Sequence, residues 1–156
     1  MPSDRPIDME KLSAILWDIK RAAGALGVVV SSGDGLVLDT AGDPQVDPET
    51  LAAYAASGLM VGERLGDSGG FGPVEALTIL YGTRAVVLSP AGPAVAVLVG
   101  PAASAGALRL ALLRHHDALA RAVREEFGVR PSPETSSGAD LPAAPPPPTG
   151  AHPDAA

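Results

Sequence analysis

The chain has 156 residues and a formal net charge of −7 at pH 7. That is length for one domain, and the charge argues against the clustered basic face that nucleic acid or an anionic membrane surface requires. There is no cysteine, which removes disulfides, thiolate zinc sites and cysteine nucleophiles and fits a reducing cytoplasm. Aromatic residues make up only 3%, so the core must be built from Val, Leu, Ile and Ala.

Residues 1–7 read as a flexible start. They lack the apolar region of a signal peptide, and no apolar run approaches the ~18 residues that span a bilayer. Direct membrane insertion is therefore not expected. Heavy use of Ala, Gly, Pro and Val, with Arg in place of Lys, is the composition of a GC-rich bacterial genome.

Residues 8–23 form a predicted amphipathic helix, with Met9, Leu12, Leu16, Ile19 and Ala23 at three- and four-residue steps. Asp8 is the candidate N-cap and Gly24 the stop. Residues 26–31 and 36–40 are predicted strands. Asp34-Gly35 between them is a tight-turn signal, because such turns want positive φ. Asp47-Pro48 supplies a cap and a first-turn proline for a second helix over 49–65. Leu51, Tyr54, Ala55, Leu59, Gly62 and Leu65 carry its period. The run Gly66-Asp67-Ser68-Gly69-Gly70 and the residues to Pro73 read as a loop. Three further strands are predicted over 74–81, 84–89 and 94–99, and their close spacing favours an antiparallel meander. A single helix over 104–127 follows, with the apolar stripe Leu108, Leu112, Leu119, Val123 and Phe127. From residue 129 to 156 the composition turns to Pro, Ser, Ala and Gly, and reads as a disordered tail with polyproline character.

The expected organisation is thus an α/β domain of the α+β type over residues 8–128. Its order is helix, two strands, helix, three strands, helix, around a five-stranded, mainly antiparallel sheet. Gly27-Val28-Val29-Val30, the hairpin Ser32-Gly33-Asp34-Gly35-Leu36-Val37-Leu38, and the meander ending in Ala94-Val95-Ala96-Val97-Leu98-Val99 before a long helix resemble the Roadblock/LC7 family. The resemblance covers about residues 8–127.

What the resemblance implies is a profilin/Roadblock-like sheet held between the second helix and the terminal helices. It implies dimerisation through the second helix and its neighbouring strand, and no catalytic site or cofactor. Members like the MglB group bind Ras-like GTPases, and others are adaptors. The expected function is a non-catalytic, cytoplasmic homodimer that regulates a small Ras-like GTPase. The alternative is a scaffold or adaptor subunit of a signalling or motility assembly. The expected interface comprises Leu51, Tyr54, Ala55, Gly58, Leu59, Gly62, Glu63 and Leu65, where small residues would admit a two-fold partner. Met60 and Arg64 join them on a candidate docking face. GTPase regulators of this kind can use a charged C-terminal extension; this tail is proline-rich and nearly free of bases, which counts against control through it.

Other motifs yield to simpler readings. Gly66-Asp67-Ser68-Gly69-Gly70 echoes a serine-protease nucleophile, but His115, His116 and His152 all follow it, whereas that family's histidine precedes the serine. The same run lacks the Gly-Lys-Ser/Thr ending of a phosphate loop. His115 and His116 are adjacent on a helix, about 100° apart, and cannot chelate one ion from one face; helical zinc pairs sit four apart. Arg109, Arg114, Arg121 and Arg124 read as a solvated helix face. Asp43, Asp47 and Glu49 complement a helix dipole and do not have the spacing of a calcium loop.

Overall fold

The computed structural model of the chain describes residues 7–128. The readings for residues 1–6 and 129–156 lie outside them. In chain order the elements are α1 (Ile7–Ala23), β1 (Gly27–Ser32), β2 (Val37–Gly42), α2 (Pro48–Gly69), β3 (Leu77–Leu80), β4 (Arg84–Ala91) and β5 (Ala94–Pro101). A 3-10 turn over Ala102–Ser104 then leads into α3 (Ala105–Arg114) and α4 (His116–Phe127).

The five strands form one sheet in the order β2-β1-β5-β4-β3, and every pair is antiparallel. β5 lies at its centre, and all its residues but Pro101 are buried. Such a strand reads as a continuous apolar run, because helices cover both faces. The two-residue side-chain period then sorts the run. Ala94, Ala96 and Leu98 join Val28, Val30 and Val87 in a core with Leu12, Leu16 and Ile19 of α1 and with Leu108, Leu112, Leu119 and Val123 of α3 and α4. Val95, Val97 and Val99 join Val29 and Leu88 on the opposite face, under Leu51, Ala52 and Ala55 of α2. The connection from β2 to β3 therefore carries α2 across one whole face of the sheet, from one edge to the other.

The hairpin between β1 and β2 differs from the expected two-residue turn. Ser32 and Leu36 pair through Ser32 N–H donating to Leu36 O at 2.8 Å, and Leu36 N–H donates to Ser32 Oγ at 3.0 Å. Three residues therefore make the turn, and of these only Gly35, at φ 95°, takes positive φ. β2 consequently starts at Val37 and runs on to Gly42.

Two other expectations are corrected. The second helix does not stop at Leu65; it runs to Gly69 and ends at Gly70, whose φ is 69°. Phe71 N–H donates to Gly66 O at 2.8 Å and Gly70 N–H to Asp67 O at 3.3 Å, the paired closing bonds of a Schellman end. Gly66 is buried there because the chain doubles back: a Cβ on it would meet Gly72 O at 2.6 Å. The last helix is two helices. His115, at φ −98° and ψ 6°, interrupts it, and the ring Nδ1 lies 2.8 Å from Ala111 O. The break lets α3 and α4 follow the sheet separately while keeping Leu112 and Leu119 inside the core. Phe127 lies outside that core and is partly exposed.

The meander shortens at one edge. β3 spans only Leu77–Leu80, not 74–81, and pairs with β4 alone. Ser89, buried on β4, donates its hydroxyl to Glu75 O at 2.7 Å, which pins the lead-in of β3 to the sheet without strand pairing. β4 and β5 each extend two residues beyond expectation, to Ala91 and Pro101.

Candidate interaction surface

α2 is built to start sharply. Asp47 Oδ2 accepts from Thr50 N–H at 3.0 Å and from Thr50 Oγ1 at 3.1 Å, which satisfies one of the orphan donors of a helix start. Pro48 opens the helix, where its missing N–H is no loss. From there the helix carries two apolar stripes. Leu51, Ala52, Ala55 and the half-buried Leu59 face the sheet. Tyr54, Val61 and Leu65 face away and are 73%, 67% and 64% exposed. Their steps of seven and four residues place them on one side of the helix. Met60, exposed beside Val61, widens the strip.

The eight residues singled out in the sequence divide accordingly. Leu51 and Ala55 are buried against the chain's own sheet, and Leu59 packs there partly buried. Gly58 and Gly62 face the approach to β3: a Cβ would lie 3.5 Å from Leu77 Cδ2 at the first and 3.1 Å from Val74 Cγ2 at the second. The small residues thus admit the chain's own β3 segment against α2. Glu63 is half-buried. Tyr54 and Leu65 stand free on the outer stripe.

That stripe continues onto the sheet edge. β3 pairs on one side only, and Ile79, Leu80 and the following Tyr81 are exposed there. An apolar sheet edge without charge or proline is a ready template for another strand. Phe71, on the turn that ends α2, is 75% exposed. At the other end of α2 lies a groove of about 450 Å³, walled by Val46, Leu51, Tyr54, Tyr81, Val86 and Val99. Arg84 sits in its lining. Its Nε and Nη2 donate to Gln45 Oε1 at 3.3 and 3.1 Å, and Nη1 donates to Thr83 O. All these acceptors are neutral. Gln45 is held at φ 66°. Arg84, Gln45, Val61 and Phe71 escaped sequence reasoning. The signal for Val61 was present, since α2 is apolar on two sides; Gln45 and Phe71 offered none.

The Roadblock/LC7 domain model matches residues 12–100. The chain belongs to the Roadblock/LC7 family. Solved structures agree on the fold. An MglB with a tetrameric arrangement is 24% identical, covering 81% of this chain and 98% of that one, with a TM-score of 0.69. The gliding protein MglB of Thermus thermophilus is 23% identical, covering 80% and 98%, with a TM-score of 0.68. MglB of Myxococcus xanthus is 19% identical, covering 76% and 95%, with a TM-score of 0.64. Among curated proteins none matches the chain.

Roadblock/LC7 domains are non-catalytic, and this chain is one of them. Among the described residues no three His, Cys, Asp or Glu side chains gather to hold a metal, and no helix is long and apolar enough to cross a membrane. The chemistry on display in this Roadblock/LC7 domain is that of recognition: an apolar helix face, an open strand edge and a groove with one cation.

Proposed function

We propose that the chain acts as a cytoplasmic homodimer that binds a small Ras-like GTPase and biases its nucleotide state. The observation that carries this reading is the apolar strip running from Tyr54, Val61 and Leu65 on α2 to the open edge of β3. Contiguous exposed apolar surface of this kind marks an interaction site. A two-fold axis would pair α2 with its copy and β3 with its copy in one operation, which closes the assembly. Similarity in fold to MglB proteins, one of them described in a tetrameric arrangement, supports self-association. The paired helices then form a surface of their own for a GTPase.

Regulation requires unequal affinity for the two nucleotide states. The test is binding of the full chain to a Ras-like GTPase loaded with GDP or with a non-hydrolysable GTP analogue. Tighter binding to one state supports the proposal. Equal binding to both overturns control of the GTPase and favours the scaffold reading.

A further inference from the structure

We propose that the groove at the start of α2 is the receptor for the chain's own proline-rich segment, residues 140–148, with Asp140 pairing Arg84.

The groove has the surface such a ligand needs. Tyr54 and Tyr81 both line it, and they are 73% and 56% exposed. Aromatic-lined grooves are receptors for polyproline II segments, which are extended before they bind and so lose little freedom on docking. Arg84 lies in the same lining. Three of its N–H groups are engaged, all with neutral acceptors. A guanidinium has five, so two donors and the whole charge are left for a ligand. Arg84 has no carboxylate partner among the described residues. The carboxylates on the loop that walls the groove are turned to backbone donors instead: Asp43 Oδ1 accepts from Gln45 N–H at 2.8 Å and Asp47 Oδ2 from Thr50 N–H at 3.0 Å.

The segment supplies the complement. Asp140-Leu141-Pro142-Ala143-Ala144 runs directly into Pro145-Pro146-Pro147-Pro148. Polyproline II has three residues per turn. Pro142, Pro145 and Pro148 therefore share one edge, and Asp140, Ala143 and Pro146 share a second. These two edges rest on the tyrosines, and Asp140, at the end of one, meets Arg84 in a charge-assisted pair. Leu141, Ala144 and Pro147 make the third edge, towards solvent. The tail's other prolines, Pro131 and Pro133, follow Arg130, which Arg84 would repel. Length permits the contact. The tail leaves α4 at Gly128, one turn past Arg124, whose Nη1 lies over Gly92 in the β4–β5 turn. Twelve residues lead from Gly128 to Asp140, about 40 Å of extended chain. The strand β4, which runs from that turn back to Arg84, covers about 26 Å.

The experiment exploits the absence of cysteine. Ala144→Cys in the full chain gives one site for a nitroxide spin label, on the edge that faces away from the groove. Amide signals of the labelled, nitrogen-15 chain are then compared before and after reduction of the nitroxide. Selective loss of intensity at Gln45, Val46, Tyr81 and Arg84 is the expected result, with the rest of the spectrum confirming the fold. The loss is expected to disappear in P142A/P145A and in Tyr54→Ala, an exposed site where truncation leaves the core intact. Arg84→Asp is expected to weaken it, and R84D/D140R to restore it with the signs exchanged. Loss spread evenly over the surface, or gathered around the exposed Trp17 of α1, would overturn the assignment. So would a groove pattern that P142A/P145A and Y54A leave unmoved. The same loss on an unlabelled nitrogen-15 chain mixed with spin-labelled nitrogen-14 chain would overturn it too, because another chain would then be supplying the segment.

Discussion

Asp47 governs α2 from outside the helix. Its carboxylate takes both the amide and the hydroxyl of Thr50, so truncation leaves a helix start without its cap. Asp47→Ala is expected to lower stability by about 1 kcal/mol, read from the midpoint of denaturant unfolding. A larger penalty belongs to the centre of the sheet. Leu98 is fully buried on β5, in the core shared with α1, α3 and α4. Leu98→Ala is expected to cost about 2–5 kcal/mol, since the close-packed neighbours relax only partly into the space. A loss near zero in the same unfolding measurement would mean that this core is not the one holding the sheet to its helices.

The elements differ in what fixes them. β5 was legible because a strand covered on both faces must be apolar throughout, and Ala94-Val95-Ala96-Val97-Leu98-Val99 is. α1 was legible from Leu12, Leu16 and Ile19, which need only helical spacing and one buried face. The end of α2 was not. Gly66-Asp67-Ser68-Gly69 has poor helix propensity, yet the chain doubling back over Gly66 keeps it helical, a tertiary contact outweighing local preference. The break at His115 was equally hidden, because the seven-residue step from Leu112 to Leu119 suits a continuous helix as well as a broken one. Of the candidate surface, Tyr54 and Leu65 were legible as apolar helical positions. That Leu51 and Ala55 face inward, while Val61 faces out, depends on where α2 rests on the sheet. Val61→Glu tests the outward stripe as an element: it is expected to give a folded monomer with an unchanged far-UV spectrum, since Val61 is 67% exposed and does not belong to the sheet-facing core. Loss of the helical signal would instead place Val61 among the groups that hold α2 down.

At the scale of the whole molecule, the sheet is finished on one side and open on the other. α1, α3 and α4 cover one face, whereas α2 covers the other while keeping an apolar stripe towards solvent. A self-contained monomer would blunt the β3 edge with charge or proline; Leu77–Leu80 has neither. The proposed partner follows from this asymmetry, because the paired α2 helices exist as a surface only in the dimer. A GTPase that reads the surface is expected to lose affinity for the V61E monomer, measured by titration at a concentration where the wild-type chain is paired. The most direct test of the account is the mass of the full chain by light scattering after size exclusion. Twice the 15.6 kDa of one chain at micromolar concentration is the expected result. A mass of 15.6 kDa across that range would contradict it, leaving the α2 stripe and the β3 edge to a partner of another kind.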